Sequence, residues 1–148
     1  MNKLFIVGLL GLFTLCVAQV EWAAQYRFAL TKDQWASVIV LPEDGEENAK
    51  REVYRFRWTL YDTTNLIVHT HYRGFPKQHT LSLRRGLETV KETLLADPAN
   101  RINGKTWLWL VFEDFDSENK VAFLEVYVQD LQQRILVEFD DPNARQEE

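Results

Sequence analysis

The fold of this chain is decided by residues 53–61, which read Val-Tyr-Arg-Phe-Arg-Trp-Thr-Leu-Tyr. Large apolar side chains occupy every second position from residue 54 to residue 60, and arginine or threonine fills the positions between them. A period of two is the repeat of a β-strand with one buried face. We therefore expect the even-numbered side chains of this stretch to face a core and the odd-numbered ones to face solvent.

Further strands are predicted on both sides of this stretch, because apolar and β-branched residues recur in short runs that turn-forming residues separate. The predicted strands cover residues 22–30, 35–41, 66–72, 79–83, 107–112, 121–128 and 135–139. About eight short strands in one chain are typical of an antiparallel β-sandwich. A partly open β-barrel is the alternative.

One helix is expected in this otherwise all-β chain. Leu83, Leu87, Val90 and Leu94 are spaced as one apolar stripe of a helix would be. The spacing predicts a helix inserted over residues 85–96, ending before Pro98.

The first eighteen residues have the pattern of a secretory signal peptide. A short positive start is followed by an apolar run of about 14 residues and by small residues up to Ala18. The run is shorter than the roughly 20 residues that cross a bilayer as a helix. We expect cleavage after Ala18, no membrane span in the mature chain, and a periplasmic or secreted protein. A retained anchor and lipid attachment at Cys16 are alternatives, although Leu15 is larger than the residue that lipidation requires.

The mature chain is expected to fold as one β-sandwich domain over residues 19–140, followed by a flexible, charged tail at residues 141–148. Cleavage removes Cys16, the only cysteine, so the domain would fold by burial without a disulfide. The formal net charge of −5 argues against nucleic acid as a partner, since that binding needs a clustered basic surface.

Three segments resemble uncharacterised exported proteins of ε-proteobacteria. They are Arg55-Phe56-Arg57-Trp58-Thr59-Leu60-Tyr61, Leu66-Ile67-Val68-His69, and Leu108-Trp109-Leu110-Val111-Phe112 with Asp114-Phe115-Asp116. The resemblance covers most of the mature chain and implies a periplasmic protein. It implies no activity that can be transferred.

All three histidines lie within eleven residues, at His69, His71 and His79. If Tyr72 pairs with Gln78 across a hairpin, His71 lies opposite His79 and three imidazoles converge. Such a set would suit zinc or copper. A slip of one residue in the pairing turns His79 to the other face of the sheet and removes the site.

An acidic stretch follows the strand at residues 107–112. Asp114, Asp116 and Glu118 offer the oxygen ligands that calcium prefers. The stretch lacks the glycine of the helix–loop–helix calcium motif, so the alternative is an ordinary solvated loop.

Arginines and tryptophans provide the candidate surface for a ligand or partner. Arg55, Arg57 and Arg27 are predicted to form a basic stripe that could hold an anionic ligand or the carboxylates of a partner. The alternative is that the stripe solvates the outer face of a sheet and pairs with nearby Glu and Asp. Of the five tryptophans, Trp22 is the candidate for exposure, whereas Trp58 is predicted to be core, as are Trp107 and Trp109.

Function is predicted only as a class. No nucleophile motif, glycine-rich phosphate loop or mature cysteine indicates catalysis. We expect a non-catalytic periplasmic domain that binds an envelope protein or another envelope component. The alternatives are a zinc or copper protein that uses the histidines and a carbohydrate-binding module that uses the tryptophans.

Overall fold

A computed structural model of the chain describes residues 21–42, 51–95 and 105–144. Within these ranges the chain forms nine β-strands and no α-helix. The strands are β1 (Ala24–Thr31), β2 (Ala36–Pro42), β3 (Glu52–Asp62), β4 (Asn65–Tyr72), β5 (Phe75–Ser82), β6 (Thr89–Leu95), β7 (Thr106–Asp116), β8 (Val121–Gln129) and β9 (Ile135–Asp140).

The strands form two antiparallel sheets that pack face to face. The four-stranded sheet has the order β1-β8-β7-β6, and the five-stranded sheet has the order β5-β4-β3-β2-β9. The predicted β-sandwich is confirmed, with nine strands instead of about eight, and the described strands do not close into a barrel. In the same ranges no helix has the length and hydropathy needed to cross a bilayer. The predicted signal peptide, residues 1–18, lies outside the described residues.

Strand β3 shows the predicted alternation over most of its length. Tyr54, Phe56 and Trp58 are at most 3% exposed, and the two arginines between them lie on the opposite face. Leu60 departs from the prediction, because a β-bulge between Trp58 and Leu60 adds one residue to β3. The extra residue reverses which side chains of β3 point to the core. Leu60 is therefore 56% exposed, and Tyr61 packs against the core.

The two sheets contact each other largely through side chains of β3. The ring of Phe56 meets Phe28 of β1 edge to face, with 5.1 Å between ring centroids. Trp58 lies edge to face with Phe115 of β7 at 5.5 Å. The Trp58 indole also donates a hydrogen bond of 2.7 Å to the carbonyl oxygen of Leu30 in β1. The aromatic set of β3 therefore packs against two strands of the facing sheet.

The predicted helix over residues 85–96 is wrong, since residues 89–95 form strand β6 and residue 96 lies outside the described part. Val90 and Leu94 are buried, but Leu83 and Leu87 are 41% and 58% exposed. A spacing of four residues puts two side chains on the same face of a strand as well as of a helix. The β-branched residues of the segment favour the strand, and β7 supplies its hydrogen-bond partner.

The first residues of the predicted tail contact the sheets. The Tyr26 hydroxyl donates to the carboxylate of Asp141 at 3.0 Å. The Asn143 side-chain amide donates to the carbonyl oxygen of Ala29 at 2.6 Å. Residues 141–143 thus lie against β1, while residues 145–148 lie outside the described part.

A two-residue turn joins β4 to β5. Tyr72 pairs directly with Phe75, and the two residues between them, Arg73 and Gly74, have φ values of 50° and 81°. Positive φ at both central positions is the requirement of the tightest hairpin turns.

We expect Gly74→Ala to lower the free energy of unfolding by about 1 kcal/mol, because a Cβ disfavours positive φ. The added methyl would meet nothing within 4 Å, so backbone strain is the whole cost. Urea denaturation followed by circular dichroism measures the effect, and Thr80→Ala on β5 is the control. Equal stability of Gly74→Ala and the wild type would show that this turn conformation is not required.

Candidate binding surfaces on the outer faces of the two sheets

The three histidines do not converge. The observed register pairs His71 with Pro76 and His79 with Val68, because the turn at residues 73–74 is shorter than the predicted loop. His69 and His71 therefore lie on the outer face of β4, and His79 lies on the opposite face of the sheet. There its imidazole contacts the Thr70 hydroxyl at 3.2 Å, and burial lowers the pKa of His79. The register that the zinc or copper site required is not adopted.

Asp114 and Asp116 are among the last residues of β7, and Asp116 stabilises the β7–β8 turn. Asp116 accepts backbone N–H bonds from Glu118 at 2.9 Å and Asn119 at 3.0 Å, and its second oxygen accepts the Asn119 amide at 2.7 Å. These bonds lower the pKa of Asp116, and the bond from the Asn119 backbone N–H has the largest effect. Asp114 accepts the backbone N–H of Phe115 at 2.8 Å. The described residues contain no group of three or more histidine, cysteine or acidic side chains that could hold a metal ion.

The predicted partner surface is divided between the two sheets. Arg55 and Arg57 lie on the outer face of the five-stranded sheet, whereas Arg27 and Trp22 lie on the outer side of the four-stranded sheet. The single basic stripe is therefore a wrong prediction, because the outer faces of a sandwich point in opposite directions. The residues that surround Arg55 and Arg57 therefore differ from those that surround Arg27.

The first face, which we call the arginine face, is formed by Trp35, Arg55 and Arg57. The arginines lie two residues apart on β3, and Trp35 precedes the adjacent strand β2. The guanidinium carbons of Arg55 and Arg57 lie 4.8 and 4.7 Å from the centroid of the Trp35 ring. Cation–π attraction at these distances restrains both guanidinium groups, while an arginine in such a contact can still donate N–H bonds to a ligand.

The ionic partners of the arginine face are few. The Arg57 guanidinium lies 3.7 Å from the Asp33 carboxylate, a long and partly exposed contact. Its Nε is buried and has no hydrogen-bond partner within the described part of the chain. The ion pairs formed among the described residues do not include Arg55. Among the described residues, the two guanidinium groups therefore have more N–H donors than acceptors that pair with them.

A shallow cavity of about 410 Å³ lies beside the arginine face. It is lined by Trp35, Arg57, His69, His71 and Gln78, among others. The register places His69 directly opposite Arg57, so the imidazole and the guanidinium are cross-strand neighbours. The cavity is thus bordered by several hydrogen-bond donors.

The second face, which we call the tryptophan face, is formed by Trp22, Trp107, Trp109 and Tyr127. Trp22 lies 5.1 Å from Trp109 and 5.0 Å from Tyr127 between ring centroids, and Trp107 lies 6.4 Å from Trp109. The prediction that Trp107 and Trp109 are core is wrong, since both are half-buried on the outer face of β7. Trp58, also predicted to be core, is confirmed at 3% exposed.

A polar cluster borders the tryptophan face. Glu125 of β8 is only 8% exposed although it lies on the outer side of the sheet. Its carboxylate accepts hydrogen bonds from the Gln25 amide and, at 2.6 Å, from the Tyr127 hydroxyl. Arg27 pairs with Glu113 at 2.8 Å beside it.

The two glutamates of this cluster, Glu113 and Glu125, shift each other's pKa in opposite directions. The hydrogen bond with Glu125 raises the pKa of Glu113, and desolvation adds to this effect. Burial alone would raise the pKa of Glu125, but the hydrogen bonds that it accepts outweigh burial and lower it. Burial and the bond to Glu125 raise the pKa of Tyr127 to about 12.

Sequence reasoning missed Trp35, Gln25, Glu125 and Tyr127 as members of these surfaces. Glu125 carried a signal, because a charged residue in the otherwise apolar strand at residues 121–128 has to be satisfied by neighbours. The neighbours come from other strands, so the cluster becomes visible only with the register.

Neither face shows the arrangement of a nucleophile with a base that acyl transfer requires. A comparison of the chain with protein-family models, with curated proteins and with solved structures finds no match in any of the three. The resemblance to exported proteins of ε-proteobacteria stays a prediction.

Proposed function

We propose that this chain is a non-catalytic binding domain whose arginine face holds carboxylate groups of a partner protein. The observation that carries the proposal is the pair of guanidinium groups, both within 5 Å of one indole ring, whose one ion pair among the described residues is the 3.7 Å contact of Arg57 with Asp33. We further propose that the chain is exported through residues 1–18, so the partner is an envelope protein.

The chemistry of the face selects carboxylates. Guanidinium groups bind a carboxylate with two parallel hydrogen bonds, and such charge-assisted bonds are about twice as strong as neutral ones. Because the contact with Trp35 already restricts both arginines, less side-chain entropy is lost when the ligand binds. The cavity beside Arg57 provides room for a side chain that carries the carboxylate.

The charge of the rest of the protein favours the same site. The chain has a formal net charge of −5, so an acidic segment is repelled by most of the surface and attracted to a local basic patch. Asp33 is the one carboxylate within ion-pairing distance of Arg57 among the described residues, and at 3.7 Å it is readily displaced.

We expect the Arg55→Ala/Arg57→Ala double variant to bind a fluorescein-labelled oligo-glutamate peptide about thirtyfold more weakly than the wild type. Fluorescence anisotropy measures the affinity. The double lysine variant keeps both charges but loses the planar fork, so it should show an intermediate loss. Arg27→Ala is the matched control, because Arg27 lies on the other sheet and is ion-paired.

Raising the salt concentration should weaken binding of the wild type, since partly exposed charges are screened. Two outcomes would contradict the proposal. One is equal binding by the wild type and the folded double alanine variant. The other is loss of binding in Arg27→Ala alone, which would move the site to the other face.

A further inference from the structure

The rings of the tryptophan face form one continuous aromatic surface. Trp22 contacts both Trp109 and Tyr127, and Trp109 contacts Trp107. Rings that pack on one another keep their positions without a ligand, so little ordering entropy is lost on binding. The half-buried rings retain accessible surface on the solvent side of the sheet.

Polar groups lie in a row directly beside these rings. The register aligns Gln25, Tyr127 and Trp109 across three strands, and aligns Arg27 with Glu125 in the next outward-facing row. Successive outward rows are roughly 7 Å apart along a strand. Amide, hydroxyl, guanidinium and carboxylate groups are therefore all within reach of one ligand seated on the rings.

The charges of this face are mixed in sign. The Lys91 ammonium lies 3.7 Å from the Trp107 ring centroid and 4.6 Å from that of Trp109. Arg27 and the glutamate pair lie on the other side of the rings. Lys105 adds a third cation, 5.7 Å from the Trp107 centroid, so that cations and carboxylates both border the rings. A surface with donors, acceptors and charges of both signs suits a neutral, hydroxyl-rich ligand better than a highly charged one.

We propose that the tryptophan face binds a neutral oligosaccharide. A pyranose has an apolar C–H surface that packs on aromatic rings, and its hydroxyl groups bond to the amide and carboxylate groups in the adjacent row. The exposed Lys91 side chain moves off the rings when the sugar is seated. The site is on a different sheet from the arginine face, so the two proposals succeed or fail separately.

Screening the intact domain on an array of neutral and acidic glycans, followed by calorimetric titration with maltohexaose, cellohexaose and chitohexaose, tests the proposal. We expect at least one neutral glycan to bind. Trp22→Ala should weaken that binding about tenfold or more, because aromatic groups at the centre of a contact dominate affinity. Trp35→Ala is the matched control on the opposite face and should leave affinity unchanged.

Glu125→Gln provides a second variant that keeps the shape of the side chain. It should also weaken binding about tenfold, because the Glu125 carboxylate positions the Gln25 amide and the Tyr127 hydroxyl beside the rings, and an amide holds these donors less strongly. Circular dichroism and urea unfolding establish that each variant is folded. Absence of any neutral glycan on the array, binding restricted to acidic glycans, or binding lost in Trp35→Ala and retained in both other variants would each overturn the proposal.

Discussion

Replacing Trp58 with alanine is expected to lower the free energy of unfolding by about 4 kcal/mol. Trp58 is 3% exposed, lies against Phe115 and donates a hydrogen bond to the Leu30 carbonyl, so the change removes both a large buried surface and a bond between the sheets. Domains of this size are stable by roughly 5–15 kcal/mol, so the variant should be close to unfolding at elevated temperature.

Two further variants separate the contributions of Trp58. Trp58→Phe keeps an aromatic ring but loses the indole N–H, and should lose about 1–2 kcal/mol because the Leu30 carbonyl then has one partner fewer. Leu60→Ala, on the same strand but 56% exposed, should change stability by no more than about 0.5 kcal/mol. Urea unfolding measures all three. A Trp58→Ala domain as stable as Leu60→Ala would mean that the sheets do not pack through β3.

Replacing Asp130 with alanine is the second change with a large expected effect, about 3 kcal/mol. Asp130 is 6% exposed and lies in the connection between β8 and β9. Its carboxylate accepts hydrogen bonds from the Thr106 hydroxyl at 3.1 Å and from the backbone N–H groups of Arg134 and Ile135 at 2.6 and 2.9 Å. Alanine would leave these donors without their acceptor at the start of β9.

Asp130→Asn is the informative companion variant. It keeps the volume but replaces one accepting oxygen by an amide that cannot accept, so we expect a loss of about 1–2 kcal/mol. Leu131→Ala is the control, because Leu131 is the next residue and is 57% exposed. If Asp130→Ala unfolds at the same urea concentration as Leu131→Ala, the carboxylate does not hold this connection together.

Several parts of the fold could be predicted because they depend on local pattern. The alternation in β3 identified three buried aromatic residues, and the turn at residues 63–64 follows from the polar residues between two apolar runs. The segment at residues 85–96 could not be assigned by the same means. Val90 and Leu94 fit a helix and a strand equally well, and pairing with β7 decides between them.

The candidate sites depended on information that is not local. The number of residues in the turn after β4 decides which face of the sheet His79 lies on. Lengthening or shortening this turn by an odd number of residues moves the His79 side chain to the other face. Likewise, a run that is apolar on both faces predicted buried Trp107 and Trp109, whereas the four-stranded sheet packs on only one side.

The sequence by itself determined that this chain is built from strands and which side chains of most strands point the same way. Side-chain alternation is a property of the extended backbone, so it is readable from one segment at a time. Only the tertiary structure decided the register and the division of strands between sheets, and with them which residues share a face. These depend on turns, bulges and packing between segments far apart in the chain. For that reason Arg55 and Arg57 meet Trp35, while Arg27 lies on the opposite side with Glu113.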